Sequence, residues 1–521
     1  MGISWTESQE RVINARKRNL LVSAAAGSGK TAVLVERIVR MITEGERPLD
    51  IDRLLVMTFT NAAAAEMRER VAAAVENLLN ERPEDEHLQA QAILVQQAQI
   101  TTIDSFCLHV IRNHFDALDI DPSFRIGDEG ELMLLREEVM SGLLEDSYRE
   151  GGREFTDFVE TCASGKGDYG ISDVIMQVYT FSQSHPWPEQ WFARCRSEAS
   201  EETGEDSGGW ENSLWMKFLR ADIRSQLDEL IWQMEDGADV CLEEDGPQVY
   251  LPVIEENIGM LRMLRSTESF SAMRDCFQAA DFGKLKAVRG GDVSQEKKKY
   301  VGDLRDRAKK AVQKIRDSYF AVPEEKLAEA MRGTVPVILE ILKLAEEFSQ
   351  RYQEAKREKN VVDFNDLEHF ALQVLSKDGE PSETAKSLSE RFEEILVDEY
   401  QDSNEVQETL IRLISRERLG RPNVFMVGDV KQSIYRFRLA RPELFLEKYD
   451  TYSEKDGDYQ KIELHQNFRS RPSVLDSVNQ VFFQIMTRAL GGIRYTEETA
   501  LHAGAAFQEI PEDMEGERPG R

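Results

Sequence analysis

Between Ala24 and Thr31 the chain reads AAAGSGKT, two glycines followed by a lysine and a hydroxyl. Glycines at 27 and 29 let successive backbone N–H groups curl around phosphate oxygens. Lys30 can reach the β- and γ-phosphates of a nucleotide, and the Thr31 hydroxyl is placed for Mg²⁺. The stretch departs from the pattern G-x-x-x-x-G-K-[ST] only at its first position, where Ala24 replaces glycine. Ala24, Ala25, Ala26, Gly27, Ser28, Gly29, Lys30 and Thr31 are thus the candidate nucleotide-binding residues. A second signature, ILVDEYQD, ends a short apolar run in Asp398 and Glu399. A strand-end Asp can hold Mg²⁺ together with Thr31, and the adjacent carboxylate can orient or deprotonate an attacking water. Acidic pairs after strands also arise from helix capping alone. Paired with Lys30, this one points to nucleotide hydrolysis, with ATP and Mg²⁺ as the expected cofactors.

These residues need elements to hold them. Leu20, Leu21 and Val22 precede the first signature, and Ala32, Val33, Leu34, Val35, Ile38 and Val39 follow it with the spacing of a helix packed on a sheet. That is strand, loop, helix. Further strands are expected at Leu54–Met57, Ile100–Ile103, Ile395–Val397 and Val424–Val427, with another around Ile462–Leu464. From about Arg125 to Lys359 strand signals fade and helical periodicity takes over, broken by polar stretches at 200–209 and 289–295. The expected class is therefore α/β: a parallel sheet with a phosphate loop, interrupted by a large, mostly helical insertion. Lys30 and Asp398 lie so far apart in sequence that an insertion must be threaded between them, which a compact phosphate-loop kinase or GTPase does not need.

Length and charge set outer limits. With 521 residues the chain has room for roughly three domains. Lys and Arg number 65 against 96 Asp and Glu, for a net charge of −31. Such a bulk charge does not exclude a nucleic-acid partner, because phosphate contacts need only a local basic track. Lys297, Lys298, Lys299, Arg305, Arg307, Lys309 and Lys310 form one basic stretch, although Asp303 and Asp306 interrupt it and a solvated helix face is the plainer reading. The five cysteines lie far apart without C-x-x-C spacing, so neither a disulfide framework nor a metal cluster is indicated. No apolar run reaches transmembrane length and no secretory signal is evident, which favours a cytoplasmic protein with no membrane partner. The opening MGISWT matches a myristoylation pattern that is mostly accidental at this length.

The series WTESQERVI, AAAGSGKT, VMTFTNAAAAEMRERV, TTIDSFCLHVIR, VDFNDLEHFAL, ILVDEYQDSNEVQ, VFMVGDVKQSIYRFR and LHQNFRSRPSVL resembles the ordered motifs of UvrD-like, superfamily-one DNA helicases. Within that group the wording is most similar to the AddA subunits of bacterial AddAB helicase–nucleases, through phrases such as LDIDPSFRIGDEGE and QVYTFSQSHPWPEQW. The resemblance runs from Trp5 to about Tyr495.

It implies RecA-like motor domains: the first split into 1–124 and 360–460 around a helical insertion at 125–359, and the start of a second at 461–521. It gives Gln9 the reading of adenine through its amide, Gln432 the sensing of the γ-phosphate, and Arg469 a contact to that phosphate from the second motor domain. Phe468 would stack on adenine. Thr58, Phe59, Thr60 and Asn61, with Thr102 and Ser105, would meet DNA at two helix starts where capping leaves N–H groups facing a phosphate. Phe59, Phe437 and Arg438 would meet bases and backbone. Asp104 stands where many relatives place histidine, which leaves the role of that position open.

The resemblance further implies 3′ to 5′ motion on single-stranded DNA, action at double-strand ends, an AddB-like partner protein, and a place in homologous recombination. The chain reaches little beyond QNFRS, its last stretch (511–521) is polar, and later motor motifs and a nuclease carboxylate cluster are not in it. An amino-terminal portion of an AddA-like protein, or a truncated product, is therefore expected. Two functions follow: an ATP-driven helicase component, or a non-catalytic fragment that holds nucleotide and DNA. A phosphate-loop kinase has no use for QSIYRFR and QNFRS.

Overall fold

The computed structural model describes residues 4–507 apart from 119, 164–168, 202–209, 289–292, 378, 488–492 and 494. The polar tail at 511–521, and most of the two polar stretches expected inside the insertion, lie outside the described residues.

Six strands form one sheet: β1 (Asn19–Ala24), β2 (Leu54–Thr58), β3 (Gln99–Thr102), β4 (Glu394–Val397), β5 (Val424–Gly428) and β6 (Tyr459–Leu464). They are the six runs expected from the sequence. Their spatial order is β6-β1-β5-β4-β2-β3 and every pairing is parallel. The runs LLVMT, EILV and VFMVG are buried along their whole length, as strands covered on both faces must be.

Alternation along each strand divides the core. Leu20 and Val22 of β1 pack with Val33, Leu34 and Ile38 of helix α2 (Lys30–Thr43) on one face. Leu21 faces the other side, with Met57, Ile395 and Val397. That second face is covered by α4 (Ile103–Asn113), α5 (Phe364–Leu375) and α6 (Glu405–Ile414). On the first face α1 (Glu7–Asn14) and α3 (Asn61–Glu81) lie beside α2.

The sequence-based division between 460 and 461 falls inside β6, which pairs with β1 from Tyr459 to Leu464. The first sheet therefore extends through Leu464, and any second unit begins after it. Backbone hydrogen bonding carries this correction, because alternation alone cannot say which sheet a strand joins.

Between Ile126 and Val361 the described chain is helical, with two separate cores. One gathers helices Leu214–Leu242, Leu251–Ser266, Phe270–Ala279 and Gln295–Tyr319. The other gathers Glu129–Glu150, Arg153–Cys162, Tyr169–Ser182 and Pro188–Glu201 around the long helix Glu324–Glu358. The two ends of the excursion meet, since Arg125–Ile126 pairs in parallel with Val361–Val362. Among the described residues no helix is long and apolar enough to cross a membrane.

Candidate active site

In open parallel sheets ligands gather beyond the carboxyl ends of the strands. Here β1, β5 and β4 lie side by side, so the loop after β1 and the acidic turn after β4 are separated by one strand. The loop needs its glycines. Gly27 and Gly29 have φ of +69° and +83°, in the left-handed region that only glycine enters freely. At Gly27 a Cβ would also overlap the side chain of Asn467.

The loop is anchored by backbone. Ala25 N–H donates to Leu464 C=O at 3.0 Å, Phe468 N–H donates to Gly27 C=O at 2.8 Å, and Asn467 Nδ2 donates to Ala26 C=O at 2.6 Å. Arg37 fixes the helix that follows. It is fully buried, donates to Glu394 Oε1 of β4 at 3.0 Å and to Val12 C=O of α1 at 2.6 Å, and lies over the Phe425 ring.

Lys30, the first residue of α2, reaches across β5 to Glu399, its Nζ 2.9 Å from Oε2 and 3.2 Å from Oε1. Glu399 has φ of +51° and ψ of +42°, a conformation that costs a non-glycine residue about 1 kcal/mol or more and is a common mark of functional turns. Asp398 Oδ1 accepts the Glu399 N–H at 3.0 Å. Burial, then the neighbouring Glu399 charge, push the Asp398 carboxyl up to about 6, while Lys30 pulls it down.

A carboxylate so placed gains from a cation. One carboxylate and the Thr31 hydroxyl make a donor set suited to Mg²⁺, which keeps phosphate and water oxygens rather than requiring a protein cage. Consistent with that, no group of three or more His, Cys, Asp or Glu gathers as a metal cage among the described residues.

Gln9, Phe468 and Arg469 meet on the other side of the loop. Gln9 is buried, accepts the Thr6 N–H through Oε1 at 2.9 Å in a capping box, and donates from Nε2 to Ser28 C=O at 3.1 Å. Gln9, Ser28 and Phe468 line a cleft of about 370 Å³. Arg469 is exposed, and its Cβ lies 3.0 Å from where a Cβ on Gly27 would stand.

Gln432 does not touch the loop. Its Nε2 donates to Asp429 Oδ2 at 2.8 Å, and its path to the acidic turn runs through Gln401. That buried amide accepts the Asp429 N–H at 3.0 Å and donates to Glu399 Oε2 at 2.8 Å. Gly428 makes room for it, since a Cβ there would overlap Gln401 Oε1. Gln401, Asp429, Gly428 and Asn467 are absent from the residues that the sequence singles out. Their signal is only their place inside YQD, VGD and QNF.

The residues expected to meet nucleic acid gather in a second cleft, of about 340 Å³. Its lining includes Thr58, Phe59, Thr60, Thr102, Tyr435 and Arg438, and it shares a wall with Asp398 and Glu399. Thr60 caps α3, its hydroxyl accepting the Ala63 N–H at 3.1 Å, while Asn61 is the exposed first residue of that helix. Thr58 Oγ1 donates to Thr60 C=O at 3.0 Å. Thr102 caps α4 by accepting the Ser105 N–H at 3.3 Å, with the two hydroxyls 2.9 Å apart.

Phe59 and Tyr435 are in contact at 4.7 Å between ring centroids, Phe437 extends the row at 5.9 Å, and the Arg438 guanidinium lies over both Tyr435 and Phe437. Phe437 is 76% exposed and Phe59 38%, so neither is a core residue. Tyr435 is the one member of the row that the sequence does not single out. The basic stretch fares differently. Lys297 is paired with Glu243 and Asp245, and Arg305 is buried against the carbonyls of Phe282 and Gly283, so these two serve packing.

Comparison with known proteins agrees with this arrangement. The chain is 46% identical to the AddA component of the ATP-dependent helicase/nuclease of Lachnoclostridium phytofermentans, over 98% of its own length and 38% of that protein's. It is 44% identical to the corresponding helicase/nuclease component of Clostridium beijerinckii, over 97% of the chain and 41% of the relative. With its counterpart in a Thermoanaerobacter species it shares 42% identity over 98% and 42%. It thus spans about two fifths of the length of these relatives. Residues 5–453 match the UvrD/REP helicase N-terminal domain, and the chain belongs to that family.

Proposed function

We propose that the chain is the ATP-hydrolysing, DNA-gripping part of a 3′ to 5′ DNA helicase with a RecA-like first motor domain, a 1B-like helical insertion and the beginning of a second motor domain. The observation that carries this is the shared wall: Asp398 and Glu399 face the phosphate loop on one side and the cleft of Phe59, Tyr435 and Arg438 on the other. A hydrolytic turn common to both clefts can pass strain from one ligand to the other.

In this reading Lys30 exchanges Glu399 for a nucleotide phosphate, and the released carboxylate orients water. Thr31 and Asp398 would hold Mg²⁺, which when bound neutralises phosphate charge. Adenine enters the cleft beside Gln9 and Phe468, and Arg469 meets the outer phosphate. Asp429 and Gln401 relay the state of Glu399 to Gln432 and thence to the aromatic row. The starts of α3 and α4 turn N–H groups to the DNA backbone while Phe59, Tyr435 and Phe437 stack on bases, which is tolerant of sequence.

By analogy with the helicase/nuclease components it matches, the motor works in the cytoplasm with an AddB-like partner, on double-strand ends that enter homologous recombination. ATP hydrolysis with and without single-stranded DNA, beside Lys30→Ala and Glu399→Gln, tests the central part. DNA-stimulated turnover lost in both variants supports it. Nucleotide binding with no turnover favours a non-catalytic binding fragment, and failure to bind nucleotide rejects both.

A further inference from the structure

Helix α5 carries the VDFNDLEHFAL motif, which the proposed chemistry leaves unused. It touches three parts of the molecule. At its start Asp363 and Asp366 enclose Lys356 of the long helix that closes the insertion, at 2.9 and 2.7 Å, and His369 Nε2 lies 3.1 Å from the Gln183 carbonyl oxygen. Phe364 and Asn365 line the aromatic cleft.

Glu368 points inward and is buried. Its Oε1 accepts from Gln407 Nε2 at 2.7 Å and its Oε2 from Asn404 Nδ2 at 3.3 Å. Asn404 and Gln407 are the two halves of the capping box that starts α6, and Asn404 closely follows the Asp398–Asp402 turn.

We propose that Glu368 is a positioning residue that couples occupancy of the aromatic cleft to the set of the Asp398–Glu399 turn. The capping box is where the chain leaving the acidic turn becomes a rigid helix, and one carboxylate holds both of its amide side chains. A base or phosphate entering the cleft displaces Phe364 and Asn365, one helical turn before Glu368, so the displacement reaches Asn404 and the turn behind it. Asp104, at the start of α4 and on the same cleft, acts electrostatically on the Glu368 carboxyl, which places that helix in the linkage as well. The insertion, gripping α5 through Lys356 and Gln183, bears on the same lever.

The inference rests on the proposed function, and equilibrium binding separates the two. The coupling factor is the ratio of the Kd values of a fluorescent ATP analogue without and with saturating oligothymidylate. The wild-type chain is expected to show a factor of ~5 or more, and Glu368→Gln to bind each ligand alone within about twofold of wild type with the factor near one. Pairing Glu368→Gln with Gln407→Glu exchanges acceptor and donor and should restore coupling.

Full coupling in Glu368→Gln, a wild-type factor of one with both ligands bound, or loss of each ligand's own affinity in Glu368→Gln would each overturn the proposal. The last would mark Glu368 as purely structural. A wild-type chain that binds neither ligand rejects the functional reading itself, and this inference with it.

Discussion

The two clefts at the carboxyl edge of the sheet are built on opposite plans. Around the phosphate loop, contacts are short, polar and drawn from several elements: Lys30 on Glu399, Phe468 N–H on Gly27, Asn467 on Ala26, Gln9 on Ser28. Around Phe59, Tyr435 and Phe437 the rings stand partly in solvent and touch mainly each other and Arg438. The first plan suits a ligand that always has the same shape and charge. The second suits a polymer whose bases differ but whose ring faces are alike. Rigidity and tolerance thus sit back to back on one turn, Asp398–Glu399.

The sharpest way to break this contrast is at the rigid side. Lys30→Ala should lower ATP turnover by a factor on the order of 10³ while leaving DNA affinity nearly unchanged, since a fixed charge near transferring phosphate has no substitute. Turnover and DNA binding falling together would show that the two clefts are one.

Next in size is the buried carboxylate between them. Burial, opposed by hydrogen bonds from Gln407 and Asn404, raises Glu368 from its ordinary 4.5 to about 7. The folded state then binds the proton more tightly than the unfolded one, so this group's contribution to stability is fullest below pH 4.5 and is lost as pH rises towards 7. Stability of wild type relative to Glu368→Gln should fall across that window by up to ~3 kcal/mol, as read by urea midpoints at several pH values. A pH-independent difference would mean that Glu368 stays ionised throughout.

On the tolerant side, Tyr435→Ala should weaken single-stranded DNA binding by ~2 kcal/mol regardless of base composition, with ATP-analogue affinity preserved. A strong preference for one base in the wild type would contradict the stacking plan. The smallest effect is expected at Thr60→Ala, where loss of the α3 cap should cost ~1 kcal/mol of stability and a modest share of DNA affinity. An unchanged melting midpoint would show that the Thr60 hydroxyl contributes no cap.

Much of this arrangement was legible in the sequence. All six sheet strands announced themselves as short apolar runs, and the phosphate loop by its glycines and Lys30, because parallel strands buried on both faces leave little freedom of composition. The helix starts at Thr60 and Thr102 were also readable, since capping is local. Gln401 was not. Its importance arises because β4 and β5 are neighbours and Gly428 leaves space for an amide, facts that exist only after the sheet has formed. Tyr435 was hidden for a similar reason, as its partner Phe59 is remote in sequence. The limit of β6 was misplaced because the strand's alternation is the same whichever sheet it joins. The insertion's two cores could not be separated by helical period alone.

The parallel pairing of Arg125–Ile126 with Val361–Val362 has a topological meaning. The chain departs and returns through adjacent strands, so the sheet experiences the whole helical excursion as a short stitch whose ends are fixed about 5 Å apart. Closure cost grows only slowly with the length of what is looped out. The excursion can therefore lengthen, shrink or be exchanged in evolution without disturbing the register of the strands on either side, and an engineer could replace it with a brief linker at the same stitch.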